Sequence, residues 1–433
     1  MAATKRYWQC WIVLALASAL TFSYLQSVRA TSEIQASLPA RKIYKFINGQ
    51  WFDGKKFQRQ MFYSVNGILT QKEPRAVDEV IDLKDGYVVP PFGDAHCHNF
   101  DSPYNVAQQV EMYLRNGVFY AKVMTDVRTG AQKVAAQVNK PTSVDVAYAH
   151  GGLTGNNSHP IMVYEALALG FYTPQQQQDN AVKIRESRLR ENDAYYIIDN
   201  ATDLENKWHL ILAGRPDFIK VFLLGGGGYG KGLAPNLLPQ IVAKAHAAGL
   251  RVSAHVETAA DLHAALMAGV DEMAHVPGFY FGANDDVRRY EISLADAKLM
   301  ARRRVRAIPT AWRGVQELEE SHARRIREMQ IRNLTLLKKQ GVKFAIGTDS
   351  YGRDSLPEAM YLSRLGMWSN LELLKIWCED TPEDIFPNRK IGHLREGYEA
   401  SFLVLNNNPL ENFEYVKSVR LRFKQGYFID VAK

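Results

Sequence analysis

The sequence predicts an α/β protein, a (β/α)8 TIM barrel with a small β-sandwich domain built from the N- and C-terminal segments. The middle of the chain alternates apolar, strand-like runs with helix-like segments, and about 300 residues hold eight such units. The segments on either side of that middle contain hairpin signals instead, which favours a separate β-rich domain.

Residues 1–30 are typical of a secretory signal peptide. Lys5 and Arg6 precede the apolar run 11–22, and small residues before a cleavage site end at Ala30. An uncleaved membrane anchor is the alternative, although the run is short of the roughly 20 residues that span a bilayer. The first interpretation predicts an exported protein, periplasmic or secreted, and the second a membrane-anchored one with its catalytic domain outside the cytoplasm.

Both ends of the remaining chain have strand and turn character. Asn48-Gly49 and Asp53-Gly54 lie between apolar runs, as hairpin turns do. We therefore expect residues 41–90 and 391–433 to form the sandwich, and residues 91–390 to form the barrel.

Eight strands are expected in the middle of the chain, with helices between most of them. Helices predicted over 237–248 and 259–268 are followed by Gly249 and Gly269, which are suited to helix C-termini. The connection 151–216 is long, and we expect it to fold over the barrel mouth. The predicted strands are 87–96, 118–125, 144–149, 218–224, 251–256, 272–276, 306–312 and 343–348.

Six side chains that could bind metal fall on or just after five of these strands. Barrel active sites form at the carboxyl ends of strands, so these side chains should converge. A lone His-x-His pair is weak evidence, since roughly 0.3 pairs are expected by chance from 11 His in 433 residues. Together the six predict a metal site: His96, His98, Lys220, His255, His275 and Asp349.

The chemistry of this set favours zinc. Imidazole nitrogen and carboxylate oxygen suit Zn²⁺, and Mn²⁺ or Fe²⁺ less well. A protonated Lys220 cannot bridge two cations, whereas the carbamate formed from its neutral amine and CO₂ can. Cys97 points away from His96 and His98 along an extended chain and is expected to pack, while Asp94 is expected to be buried polar support.

The order of these residues resembles the amidohydrolase superfamily in its binuclear, carbamate-bridged subtype. The runs Asp217-Phe-Ile-Lys-Val-Phe and Ala345-Ile-Gly-Thr-Asp are similar to the branch of imidazolonepropionase-like enzymes and metal-dependent Xaa-Pro dipeptidases. The run Phe-Ile-Asn-Gly-Gln-Trp-Phe-Asp-Gly, residues 46–54, resembles the family's N-terminal sandwich strands.

The resemblance implies two divalent metal ions and an amidohydrolase mechanism. His96 and His98 would hold one ion with Asp349, and His255 and His275 would hold the other. Carbamylated Lys220 and a hydroxide would bridge the ions. The hydroxide would attack the carbonyl of an amide, peptide or cyclic amide, and Asp349 would carry the proton to the leaving group.

The substrate is less sharply defined than the site. An exported location favours a dipeptide or N-acyl amino acid over an intracellular imidazolone, while lactones, esters and cyclic amides stay open. Tyr229, His150 and Arg313 are candidate substrate contacts because they follow strands at the mouth. The other histidines are assigned to the surface or to packing: His159, His209, His246, His263, His322 and His393.

Two alternatives of another class remain. The loop from Gly225 to Gly230 formally matches the dinucleotide fingerprint of an oxidoreductase, although Gly232 and Pro235 would delay its helix. The second alternative is a non-catalytic barrel that serves as a binding scaffold.

The charge and cysteine content narrow the range of partners. The net charge of +7 falls to +4 when the three basic residues of 1–30 are removed, and no basic stripe is interleaved with aromatics. A small-molecule substrate is therefore expected, with no nucleic acid, a membrane only through an uncleaved anchor, and a homo-oligomer left open. Only Cys97 and Cys378 follow the leader, too few for a disulfide framework.

Overall fold

The structure is a computed structural model that describes residues 40–225 and 232–431. The predicted leader and Tyr229 lie outside the described residues. Within the described parts of the chain, no helix is both long and apolar enough to span a bilayer.

Strands from both ends of the chain share one mixed sheet of eight strands. Its order is β17-β16-β15-β5-β1-β2-β3, with β4 paired to β1. The strands are β1 (Tyr44–Phe52), β2 (Phe57–Val65), β3 (Ile68–Thr70), β4 (Glu79–Asp82), β5 (Tyr87–Val89), β15 (Phe402–Leu405), β16 (Val419–Lys424) and β17 (Tyr427–Phe428).

This sheet curls on itself instead of splitting into two separate sheets. The Leu69 N–H donates to the Tyr398 carbonyl at 2.8 Å, and the Ala400 N–H donates to the Gly67 carbonyl at 2.8 Å, which joins the β3 edge to the chain before β15. The curled sheet encloses a buried cluster that is rich in aromatic rings: Phe46, Trp51, Phe62, Phe402 and Phe423.

The middle of the chain supplies parallel strands in a three-stranded sheet, β6-β7-β8, and a six-stranded sheet, β10-β9-β11-β12-β13-β14. These strands are β6 (Phe92–Cys97), β7 (Val118–Val123), β8 (Asp145–Tyr148), β9 (Gly152–Thr154), β10 (Tyr195–Ile197), β11 (Ile219–Phe222), β12 (Val252–His255), β13 (Glu272–Ala274) and β14 (Arg306–Ile308).

Backbone hydrogen bonds also connect the two parallel sheets. Segment 343–348 has no regular strand, yet the Ala345 N–H donates to Ala307 (2.9 Å) and the Ala95 N–H donates to Ile346 (2.8 Å). On the other side, β8 turns at 149–151 into β9, which pairs with β11. The predicted barrel is confirmed in part, because parallel strands and helices alternate but regular pairing is interrupted at these two places.

Helices follow most of the parallel strands. The predicted helix 237–248 is observed from Leu238 to Ala247, and 259–268 is observed as predicted, ending before Gly269 in a left-handed conformation (φ 90°). The α-helices are α1 (Val106–Arg115), α2 (Arg128–Val134), α3 (Ile161–Ala168), α4 (Pro174–Asp179), α5 (Ala181–Glu186), α6 (Ala201–Ala213), α7 (Leu238–Ala247), α8 (Ala259–Ala268), α9 (Leu294–Arg302), α10 (Glu320–Lys339), α11 (Leu356–Arg364), α12 (Asn370–Lys375) and α13 (Thr381–Ile385).

Shorter helical turns complete the described chain. A π-helix, Ile376–Asp380, joins α12 to α13. The 3₁₀ turns are Ala135–Gln137, Pro235–Leu237, Val287–Tyr290, Arg313–Val315 and Phe413–Lys417. One continuous apolar core lies between the parallel strands and the helices, and it fixes the strand ends that carry the candidate site.

Candidate metal centre

Asp349 lies against the two histidines of the His-x-His pair. Its Oδ1 is 3.2 Å from Nε2 of His96 and 3.0 Å from Nε2 of His98. Segment 343–348 runs beside β6, and the Asp349 N–H donates to the His96 carbonyl at 2.7 Å. Backbone hydrogen bonds between this segment and β6 therefore place the carboxylate beside the histidines, and the ligand atoms of all three residues lie within 4.8 Å of one another.

Gly347 allows this close approach. A Cβ built on Gly347 would come 2.6 Å from the Cβ of His96 and 2.7 Å from its backbone nitrogen. Since real Cβ contacts are not that short, only glycine fits between the strand and the histidine.

Asp94 connects β6 to the segment that carries Asp349. It is fully buried and accepts hydrogen bonds from the Thr348 hydroxyl (2.5 Å), the Thr348 N–H (3.1 Å) and the Tyr113 hydroxyl (2.9 Å). Burial raises the pKa of Asp94 to about 7. These bonds tie the end of β6 to Thr348, as expected of polar support.

His255 and His275 extend the cluster across the mouth. Their ring centroids are 4.4 Å apart, and the His275 ring is 4.8 Å from that of His96. Nε2 of His275 is 4.0 Å from Oδ2 of Asp349. Four histidine side chains and one carboxylate therefore form a single group at the carboxyl ends of the parallel strands.

Lys220 lies on β11 and is 1% exposed. Its Nζ is a buried polar atom without a hydrogen-bond partner among the described residues, as are Nδ1 of His96 and Nε2 of His255. Buried donors and acceptors are normally paired, because an unpaired one costs about 1–3 kcal/mol. Three such atoms in one group indicate that these residues suit a ligand bound among them.

The protonation states fit a divalent cation. Burial lowers the pKa of His96 and of His255 to about 3 and that of His275 well below its usual range, so the imidazoles are neutral. Burial alone would raise the pKa of Asp349, but His96, His98 and His275 hold it well below its usual value. Neutral imidazole and ionised carboxylate are the forms that bind metal.

Lys220 is also in a suitable state for carbamate formation. Burial lowers the pKa of its amine to about 7. A substantial fraction of the amine is therefore neutral near pH 7, and only a neutral amine adds CO₂.

Of the three predicted substrate contacts, His150 and Arg313 lie among the described residues. Nδ1 of His150 lies 2.8 Å from Oδ2 of Asp126, and its ring stacks on Tyr148. Arg313 is exposed at the start of a 3₁₀ turn, and Tyr229 is outside the described residues. Their role in substrate binding stays a prediction.

His159, which the sequence assigns to the surface or to packing, lies beside a candidate metal ligand. Its ring centroid lies 5.4 Å from that of His255 and 5.2 Å from that of Phe222. Burial lowers its pKa to about 3, so the ring is neutral. The one sequence signal that could have indicated this position is its place in the overlong connection 151–216.

Two tyrosines near His98 were also missed. The Tyr351 ring stacks on His98 with centroids 5.1 Å apart. The Tyr164 hydroxyl donates to Oγ1 of Thr125 at 2.9 Å, and the Thr125 carbonyl lies 3.3 Å from Nδ1 of His98. Since Tyr164 lies on α3, the connection 151–216 contacts His98 through Thr125.

Sequence comparison identifies related proteins. The profile of the amidohydrolase family matches residues 87–427. An ochratoxinase from Aspergillus niger is 31% identical over 201 residues, which are 45% of this chain and 41% of that protein. The match thus spans about two fifths of the length of this curated relative.

Solved structures share the fold over most of their length. The A. niger ochratoxinase has a TM-score of 0.69 at 19% identity, covering 89% of this chain and 96% of that one. A Xaa-Pro dipeptidase with bound methionine has a TM-score of 0.68 at 16% identity, covering 90% and 100%. A molinate hydrolase has a TM-score of 0.70 at 14% identity, covering 90% and 95%.

Proposed function

Because this chain belongs to the amidohydrolase family, we propose that it is a metal-dependent hydrolase that cleaves a carbon–nitrogen bond of an amide or peptide. The observation that carries the proposal is the convergence of His96, His98 and Asp349, in which Oδ1 of one carboxylate lies within 3.2 Å of two imidazole nitrogens. We also propose that the parallel strands and segment 343–348 form one closed barrel around this group.

The donor set suits two divalent ions, and Zn²⁺ best matches its nitrogen-rich composition. His96, His98 and Asp349 would hold one ion, and His255 and His275 the other, with Lys220 as a bridging carbamate. Bound ions would supply a Lewis acid for the scissile carbonyl and would lower the pKa of water toward about 7.

Asp349 is the residue that would move the proton. Its Oδ1 faces His96 and His98, while its Oδ2 lies 4.0 Å from Nε2 of His275. Oδ2 is therefore the oxygen left to accept a proton from the attacking water and to pass it to the leaving nitrogen. A positioned carboxylate can act first as a general base and, once protonated, as a general acid.

The favoured substrate is a dipeptide or an N-acyl amino acid. One similar structure is that of a Xaa-Pro dipeptidase with methionine bound in its active site, and an exported enzyme would encounter peptides. Cyclic amides, lactones and esters are alternatives, because the same attack opens each of them.

The test combines metal analysis with a substrate screen. Purified protein should contain about two equivalents of metal and should hydrolyse members of a panel of dipeptides, N-acyl amino acids, lactones and cyclic ureides. Chelation should abolish turnover, and Zn²⁺ should restore it. His255→Asn should lose metal, whereas the matched change His263→Asn, at an exposed histidine paired with Asp296, should not. Far less than one equivalent in the native protein would favour a barrel that only binds.

The dinucleotide alternative has little support from the described residues. After the loop from Gly225 to Gly230, helical turns begin at Pro235 and α7 begins at Leu238. The fingerprint requires the helix to begin within the glycine motif, so that its N-terminus meets the pyrophosphate. Nicotinamide cofactor retained by purified protein would revive this alternative.

We propose further that residues 1–30 direct export. N-terminal sequencing of protein from a membrane-free extracellular or periplasmic fraction should then begin after Ala30. Recovery of an intact N-terminus in the membrane fraction would instead support the anchor.

A further inference from the structure

A buried polar cluster contacts His275 through Thr310, at the ring nitrogen Nδ1. Its members are Thr310, Gln330 and Glu358, which are 0%, 2% and 0% exposed. They follow β14 or lie on α10 and α11, so three separate elements meet behind one histidine. We call these three residues the His275 clamp.

Thr310 determines which nitrogen of His275 carries the hydrogen. Its hydroxyl donates to the Pro309 carbonyl at 2.8 Å, and its Oγ1 lies 2.6 Å from Nδ1 of His275. Because the hydroxyl hydrogen is already engaged, Oγ1 can only accept from His275. We therefore assign the hydrogen to Nδ1 and the lone pair to Nε2, the atom that lies 4.0 Å from Oδ2 of Asp349.

Glu358 holds Thr310 in an unfavourable backbone conformation. Thr310 has a φ of 48°, in the left-handed region that β-branched residues rarely adopt. The carboxylate of Glu358 accepts hydrogen bonds from the next two N–H groups, those of Ala311 (2.9 Å) and Trp312 (2.6 Å). Such a conformation persists only where its surroundings impose it, and these two bonds provide that constraint.

Gln330 connects this turn to the ring face of His275. Its amide donates to the Ala311 carbonyl at 2.8 Å and to the Phe279 carbonyl at 3.0 Å. The Phe279 ring stacks on His275 with centroids 4.2 Å apart. One buried network therefore fixes both the edge and the face of the imidazole.

We propose that the His275 clamp is a positioning device, in which Thr310, supported by Glu358 and Gln330, holds His275 as the Nδ1–H tautomer so that Nε2 serves as a metal ligand. This role deepens the proposed function and rests on it, because it takes His275 to be a ligand. Removing such an outer hydrogen bond typically weakens metal binding or activity about 10–100-fold.

The test uses two substitutions at Thr310. Thr310→Val keeps the branched shape and removes the acceptor, whereas Thr310→Ser keeps the hydroxyl. In Thr310→Val we expect the dissociation constant of one of the two Zn²⁺ ions to rise about 10–100-fold, while the other ion stays bound. Titration against a competing chelator and the visible spectrum of the Co²⁺-loaded protein would measure this change. Thr310→Ser should remain close to the native protein.

Glu358→Gln provides an independent variant, because an amide oxygen can replace only one of the two carboxylate acceptors. It should weaken the same ion by a smaller factor. Asp354→Asn is the matched control, since Asp354 is also buried beside α11 but bonds Asn116 and Leu356 instead of the Thr310 turn. If native protein binds no metal, the proposed function fails. If native protein and both clamp variants hold two ions with equal constants, the clamp alone is wrong.

Discussion

Two buried lysines on parallel strands show how differently this chain treats buried charge. Lys122 on β7 is 3% exposed, and its Nζ lies 2.5 Å from Oε2 of Glu272 and 3.4 Å from Oδ2 of Asp384. Lys220 on β11 is 1% exposed, and among the described residues its Nζ has no hydrogen-bond partner. The charge of Lys122 is therefore paired within the fold, whereas the amine of Lys220 has no such partner among the described residues.

The same contrast separates the two ends of the parallel strands. Glu272 and Arg306 begin their strands, and there Asp384 pairs with Arg251 at 2.8 Å and with Arg306 at 3.0 Å. At the carboxyl ends, Nδ1 of His96, Nε2 of His255 and Nζ of Lys220 are buried polar atoms without a hydrogen-bond partner among the described residues. Paired charges at one end hold the fold together, whereas unpaired polar atoms at the other end indicate a site that a ligand completes.

The largest expected effect is a fall in kcat after substitution at the carboxyl ends of the parallel strands. Asp349→Asn should lower kcat by about 10²–10⁴-fold, the usual range for removing a general acid–base, because the amide cannot carry the proton. Much of the metal should remain, since His96 and His98 are intact. Parallel kinetics and metal analysis would measure both quantities. A variant with native turnover would show that the proton moves through another group.

The next largest effect is a loss of stability at the amino ends of the parallel strands, where kcat should stay unchanged. Asp384→Asn leaves the buried Lys122 and the partly buried Arg251 and Arg306 short of an anion, and breaking such a network costs about 3–5 kcal/mol of unfolding free energy. Denaturant unfolding would measure the loss, and kcat of the folded, metal-loaded variant should stay near native. A large fall in kcat would show that the two ends are coupled.

The pH dependence of that loss follows from the pKa of Asp384. Burial alone would raise it, but Lys122, Arg251 and Arg306 together lower it. The contribution of Asp384 is therefore complete above its unfolded pKa near 4 and is lost as the pH falls toward its lower folded pKa. The difference in stability between native protein and Asp384→Asn should shrink when unfolding is repeated at about pH 3.

The sequence could predict the parts of the site that strand geometry determines. His96 and His98 lie two apart on an extended chain, and His255 and His275 end apolar runs, so alternation and strand polarity suffice to aim them at one face. The helix that ends at Gly269 was predictable for the same local reason.

Features that depend on the path of the chain were not predictable. His159 reaches His255 only because of how the connection 151–216 folds, and the Thr310 turn depends on Glu358, which lies far along the sequence. The first predicted strand, 87–96, is in fact two strands. Pro90 and Pro91 cannot donate to a ladder, so β5 pairs in the terminal sheet and β6 begins anew at Phe92.

The smallest expected effect compares the two lysines directly, in metal-free protein. Lys220 has its pKa lowered to about 7, against about 10.4 in the unfolded chain, so between these values the unfolded chain binds a proton that the folded chain does not. Native stability should therefore fall from pH 10 to pH 7. Lys220→Met removes that cost and should gain on the order of 3–4 kcal/mol at pH 7, with the gain falling below about 1 kcal/mol at pH 10.

Lys122→Met, on β7, is the substitution to compare with Lys220→Met. It leaves Glu272 and Asp384 without their shared cation, so it should destabilise the protein at the same pH. Opposite signs for the two variants in urea unfolding would establish that one buried lysine supports the fold while the other is tolerated at a cost. If Lys220→Met were as destabilising as Lys122→Met, Lys220 would be a structural residue like its counterpart, and its assignment to the metal centre would lose its main support.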